Sequence, residues 1–106
     1  MTIYIMNSPI LTSYGQWDFE GPVTIAKARA VLSNGFISAM GHPASAAVLS
    51  QILDIAIPVQ RLQITLLPGD EALVLRLTQR LPEGKVLDEA ELKAIPFELG
   101  LLKRIK

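Results

Sequence analysis

Apolar and polar residues change rhythm several times along this chain, and each change marks an element. Thr2 to Met6 (TIYIM) is β-branched and aromatic and runs into Asn7, Ser8 and Pro9, the pattern of a strand passing into a loop. From Ser8 to Gly21 the rhythm is lost around Pro9 and Gly15, which predicts a long loop with a short strand around Trp17. Tyr14, Trp17 and Phe19 within it read as packing residues and not as a base-stacking platform. Thr24, preceded by Val23, has the form of a helix N-cap. Ile25, Ala28, Val31 and Leu32 then recur at helical spacing until Gly35, so a first helix is expected over Ile25–Asn34.

The second helix is marked more sharply. Proline at the first helical position costs nothing, because the N–H it lacks has no helical acceptor there, so Pro43 opens the helix and His42 falls at or beside its N-cap. Ala46, Ala47, Leu49, Ile52 and Leu53 supply its apolar face. Beyond Pro58, Val59 to Leu67 alternates, Pro68-Gly69-Asp70 has turn chemistry, and Ala72 to Thr78 alternates again, which predicts an antiparallel hairpin. Arg80 ends the second hairpin strand, and Leu81 to Lys85 forms a loop. Asp88 with Glu91 opens a short helix that stops before Pro96, and Phe97 to Ile105 is expected as an edge strand. Elements in this order indicate an α+β fold, a small mixed β-sheet with helices packed on it, in a single domain spanning residues 1–106.

Composition narrows the chemistry. A chain of 106 residues buries roughly two thirds of the surface its unfolded form exposes, enough for one core without disulfides or a structural metal. With no cysteine and one histidine, thiol chemistry is excluded and a zinc centre of three or four ligands is not expected; no metal and no cofactor are assigned. Ten basic residues balance ten acidic ones, which argues against capture of duplex DNA by bulk charge. Met1 to Met6 has no basic leader region, and the longest apolar stretch, Ala46 to Val59, is broken by Ser50, Gln51 and Asp54, so a cytoplasmic protein without membrane contact is expected. Half of the residues are apolar, more than a small monomer hides easily, and this favours a homo-oligomer.

Two places have candidate chemistry. His42 lies beside the unpaired backbone N–H groups of a helix first turn, including those of Ala44 and Ser45, where an anion is favoured. It is either a plain helix cap or, once a phosphate brings negative charge, a protonated imidazole able to act as general acid. Arg80, at a strand end beside the loop carrying Glu83, is either a phosphate fork or half of an exposed ion pair.

The strand end YIMNSPIL, the segment FISAMGHPASAAVLSQIL and the run TQRLPEGKVLDEAEL together resemble the small ring-nuclease family first known from archaeal viruses as type III anti-CRISPR proteins, in order from Tyr4 to Leu92. The resemblance implies a homodimer that holds cyclic tetra-adenylate across its interface and cuts it, without metal, to linear di-adenylate, damping type III CRISPR signalling. It places the catalytic histidine at His42 as general acid. Arg80 falls on the arginine at the scissile phosphate, and Glu83 on the glutamate that holds the histidine. Asn7 matches a ligand contact, and Leu81 to Asp88 would belong to a lid. Ser8, Gly41, Ser45 and Lys85 are the accompanying substrate-binding candidates. A serine found in viral members shortly after the asparagine is Ile10 here, with Thr12 and Ser13 as the nearby hydroxyls. The alternative expectation is a non-catalytic cyclic-nucleotide-binding or regulatory dimer of a mobile element.

Overall fold

The computed structural model describes residues 2–6, 11, 13–77 and 96–106. In chain order these form β1 (Ile3–Met6), β2 (Trp17–Glu20), α1 (Ile25–Leu32), β3 (Ile37–Ser38), α2 (Pro43–Leu53), β4 (Glu71–Leu77) and β5 (Phe97–Arg104). The strands make one sheet in the order β2-β5-β4-β1-β3. β1 runs parallel to both β3 and β4, whereas β5 runs antiparallel to β4 and β2. The fold is therefore α+β with a mixed sheet.

The strand alternation sorts side chains onto two faces. Ile3 and Ile5 of β1, Leu73 and Leu75 of β4 and Leu99 of β5 meet Ala28 and Leu32 of α1 and Ala46, Val48, Leu49 and Leu53 of α2. Tyr4 and Met6, Ala72 and Val74, Leu102 and Trp17 occupy the opposite face, and there Ile64 and Leu66 lie against them. Burial on both faces is why β4 reads as a nearly unbroken apolar run, EALVLRL.

Both helices begin where the sequence predicts. Thr24 Oγ1 accepts the Lys27 N–H at 3.1 Å, and His42 caps α2 with Pro43 at the first helical position. α1 ends at Leu32, two residues before the expected Asn34; Gly35 follows at φ +108°, its N–H bonded to Leu32 O at 3.0 Å. On α2, Val48 takes the buried place expected of Ala47, which is exposed.

The expected hairpin is absent. Residues 59–67 form no strand, and β4 pairs with β1 on one side and β5 on the other, so both of its ladder edges are filled. The alternation of this segment is nevertheless real: Ile64 and Leu66 turn onto the sheet face while Gln63, Thr65 and Leu67 stay exposed. Two further expectations are corrected. β5 is internal, because Trp17 to Glu20 pairs antiparallel with Leu101 to Arg104 along its outer side; among the described residues the edges are β2 and β3. Tyr14 is 100% exposed and packs on none of the described residues, whereas Trp17 joins the core. The loop at Leu81 to Lys85 and the helix from Asp88 lie outside the described residues.

Without a ladder, residues 58–67 are held by side chains at both ends. Ser38 Oγ donates to Pro58 O at 2.6 Å, and Gln60 N–H donates to Met40 O at 3.0 Å. At the far end Arg104 Nη1 donates to Leu66 O at 2.6 Å, its guanidinium 5.6 Å from the centre of the Trp17 ring. Leu67 to Asp70 then closes a turn, with Asp70 N–H bonded to Leu67 O at 2.9 Å, Pro68 in the second place and Gly69 at φ +94°, the positive angle a type II turn requires in its third.

Asp70, only 6% exposed, accepts the N–H of Thr2 on one carboxylate oxygen and that of Leu67 on the other, each at 2.9 Å, joining the start of β1 to the start of β4. Asp70→Ala leaves both donors without an acceptor and is expected to destabilise the fold by about 3 kcal/mol. Asp70→Asn, which keeps one carbonyl acceptor, should cost about half of that. Denaturant midpoints at unchanged slope are the measurement; an Ala variant as stable as wild type refutes the role.

Candidate functional site

β1, β3 and β4 point the same way, so their C-terminal ends share one edge of the sheet. The chain leaves β3 at Ser38 and within a few residues reaches His42, the start of α2. Asn7 follows directly on β1, and Arg80 comes shortly after β4 in sequence. At this edge a groove of about 860 Å³ opens to solvent, with Met6, Gly41 and His42 on one wall and Arg61, Leu62 and Ile64 on the other.

His42 is exposed, and its ring orientation follows from helix capping. The first turn of α2 has few donors to satisfy: Pro43 has none, Ala46 N–H reaches His42 O at 3.0 Å, and Ser45 N–H points at His42 Nδ1 at 3.3 Å. Ser45 Oγ lies 3.4 Å from the same nitrogen. Nδ1 therefore serves the helix, and Nε2 has no hydrogen-bond partner among the described residues. A nitrogen that accepts from a backbone N–H has no proton of its own, so the neutral ring has its hydrogen on Nε2. The Ala44 N–H is a first-turn donor that also has no partner among the described residues.

Arg61 completes the constellation. Its Nε donates to Gly41 O at 3.1 Å, which spends one donor on fixing the side chain and leaves the two terminal nitrogens with no partner among the described residues. The approach is close: a Cβ on Gly41 would sit 3.0 Å from Arg61 Cγ. A side chain at position 41 would thus crowd the arginine where it lies across the turn before His42. No acidic side chain of the described residues lines the groove.

Of the site residues expected from the sequence, His42, Gly41 and Ser45 come together here. Ser45 is 93% buried by its 7% exposure, and its N–H is directed at the imidazole. Asn7, Ser8, Arg80, Glu83 and Lys85 lie outside the described residues, as do Ile10 and Thr12. Ser13 is exposed and its carbonyl accepts from Trp17 Nε1 at 3.2 Å. Arg61 is the residue the sequence reading missed. Its signal was isolation, since it is the lone Lys or Arg between Arg29 and Arg76.

The family model described as STIV B116-like matches residues 3–99. The chain belongs to the STIV B116-like family. Its relatives in the family include the uncharacterized protein ORF117 of Acidianus two-tailed virus, 34% identical over 113 residues that take in 100% of this chain and 96% of that protein. The uncharacterized protein 26 of Sulfolobus islandicus filamentous virus is 39% identical over 106 residues, 95% of this chain and 90% of its own. The solved structure of B116 of Sulfolobus turreted icosahedral virus superposes with a TM-score of 0.81 over 98% of this chain and 100% of that one. At 19% identity this last likeness is one of fold. The STIV B116-like family is thus found in archaeal viruses.

Because the chain has a single histidine, the ring geometry is open to direct observation by ¹⁵N NMR of histidine-labelled protein. In the neutral ring Nε2 is expected to have the hydrogen and Nδ1 to be the bare, hydrogen-bonded nitrogen. A neutral ring with its hydrogen on Nδ1 contradicts the cap.

Proposed function

We propose that the chain is a metal-independent ring nuclease, a homodimer that binds cyclic tetra-adenylate and cuts it to linear di-adenylate, damping type III CRISPR signalling. The observation that carries this reading is His42, the chain's lone histidine, with Nδ1 occupied by its own helix and Nε2 left over at the wall of an open groove that also holds Arg61. The groove's size falls within the range of small-molecule sites. Leu11 and Leu62, 61% and 45% exposed, are apolar surface at the groove that a second copy of the chain would cover.

In the proposed reaction the 2′-hydroxyl oxygen of one ribose bonds to the adjacent phosphorus while the P–O5′ bond breaks on the opposite side. The electron pair of that bond goes to O5′, which takes a proton from His42 Nε2. The 2′-hydroxyl proton passes to solvent, and a 2′,3′-cyclic phosphate forms. The phosphate itself favours the imidazolium that supplies the proton. Arg61 presents a planar pair of N–H groups to a phosphate, and Arg80 and Glu83 take the roles of charge stabilisation and histidine support that the resemblance implies. Zero net charge means that the ring's phosphates are attracted by these local donors alone. A dimer doubles them, with one cut by the His42 of each protomer.

Purified protein incubated with cyclic tetra-adenylate in chelator should release linear di-adenylate. His42→Ala is expected to slow cleavage by about 100- to 10,000-fold while retaining the ring. Arg61→Ala should weaken ring binding by roughly 10- to 100-fold. A ring left intact by wild type after long exposure overturns the enzyme, and tight binding without turnover would mark a sequestering dimer instead.

A further inference from the structure

His42 touches Ser45 through two different groups, and only one of them works in both charge states of the ring. The Ser45 backbone N–H, 3.3 Å from Nδ1, is a donor and nothing else. It suits the neutral ring, whose Nδ1 has a lone pair. In the imidazolium Nδ1 has a hydrogen, and a backbone N–H facing it offers that hydrogen no acceptor. The Ser45 hydroxyl, 3.4 Å from Nδ1, is a donor and an acceptor, and turning about Cβ–Oγ exchanges the two roles.

We propose that Ser45 is a positioning residue of His42: its hydroxyl donates to Nδ1 in the neutral ring and accepts from Nδ1–H in the imidazolium, so that Nε2 stays aimed at the groove in both states. The inference rests on the reading of His42 as the acid of the ring nuclease. General acid transfer from Nε2 starts from the imidazolium and ends with the hydrogen still on Nδ1, so an acceptor at Nδ1 is needed throughout the step. Ser45 Oγ is that acceptor among the described residues. It is buried with the rest of its side chain, its position is fixed by the third turn-forming residue of α2, and it has no other hydrogen-bond partner among the described residues. Around the ring, the turn before α2 presents Gly41, β1 presents Met6, and the segment opposite presents Arg61, the one charged group of the described lining. A cation accepts no hydrogen bond, and although Gln63 and Thr65 also line the groove, the hydrogen-bond contacts of Nδ1 among the described residues are both with Ser45.

Two variants separate this role from packing. Ser45→Ala removes the hydroxyl, while Ser45→Cys fills the same space with a sulfur that is a weak acceptor. Histidine-labelled wild type at acid pH should show the Nδ1–H of the imidazolium slowed in its exchange with water, and both variants should lose that protection. The neutral tautomer, set by the backbone N–H, should be unchanged in both, which also confirms an intact helix start. With cyclic tetra-adenylate, both variants are expected to cleave about tenfold more slowly at saturating ring, with unchanged KM. Nδ1–H protection that persists in Ser45→Ala, or full activity in Ser45→Cys, overturns the proposal. Wild type that cuts no ring overturns the function instead, and the exchange comparison then decides the Ser45–His42 pairing by itself.

Discussion

The fold is organised by the burial of β1 and β4 on both faces at once. Helices α1 and α2 cover one side, with Ile5, Leu73 and Leu75 beneath them. The other side, with Met6, Ala72 and Val74, needs a second cover, and the short chain between α2 and β4 is what provides it through Ile64 and Leu66. Each buried aliphatic side chain contributes on the order of 2 kcal/mol, so leaving this face open would forfeit much of the margin by which a small domain is stable. The cover cannot pair with β4, which already has a neighbour on each side. Its backbone groups are therefore met by other means: Ser38 at Pro58, Arg104 at Leu66, Asp70 at Leu67.

The candidate site is a by-product of that arrangement. A segment anchored at Pro58 and at Leu66 has to pass the turn before α2, and this brings Arg61 across Gly41. Parallel pairing of β3 with β1 puts the start of α2 at the same edge. One wall of the groove is thus built by helix capping and the other by the cover segment. Neither wall depends on the net charge of the molecule, which is zero, and the donors gathered there act over short range where screening by salt is least effective.

Local features were legible in the sequence because their causes lie within a few residues. Thr24 and His42 as N-caps, Pro43 at the first helical position, the strand at Thr2 to Met6 and the turn at Pro68-Gly69-Asp70 all follow from backbone donors, fixed φ angles and side-chain alternation that neighbours determine. The alternation of Val59 to Leu67 is real, but it reads as a hairpin strand. What it does not contain is the identity of the surface that buries it, because a period of two serves equally for a ladder neighbour and for a segment laid across a sheet face. β3, only Ile37 and Ser38, carries too little pattern to stand out from the loop around it.

The sequence by itself determined where α1 and α2 start, that Thr2 to Met6 is a strand and that the lone histidine stands at a helix start. Tertiary structure alone decided which strands pair, that β5 is internal and that Arg61 stands opposite His42. The physical reason is that capping and alternation are satisfied by adjacent residues, whereas ladder edges and open sheet faces are limited places for which distant segments compete. Arg61 is near His42 because the segment bearing it was excluded from the ladder and was taken up by the face beside it.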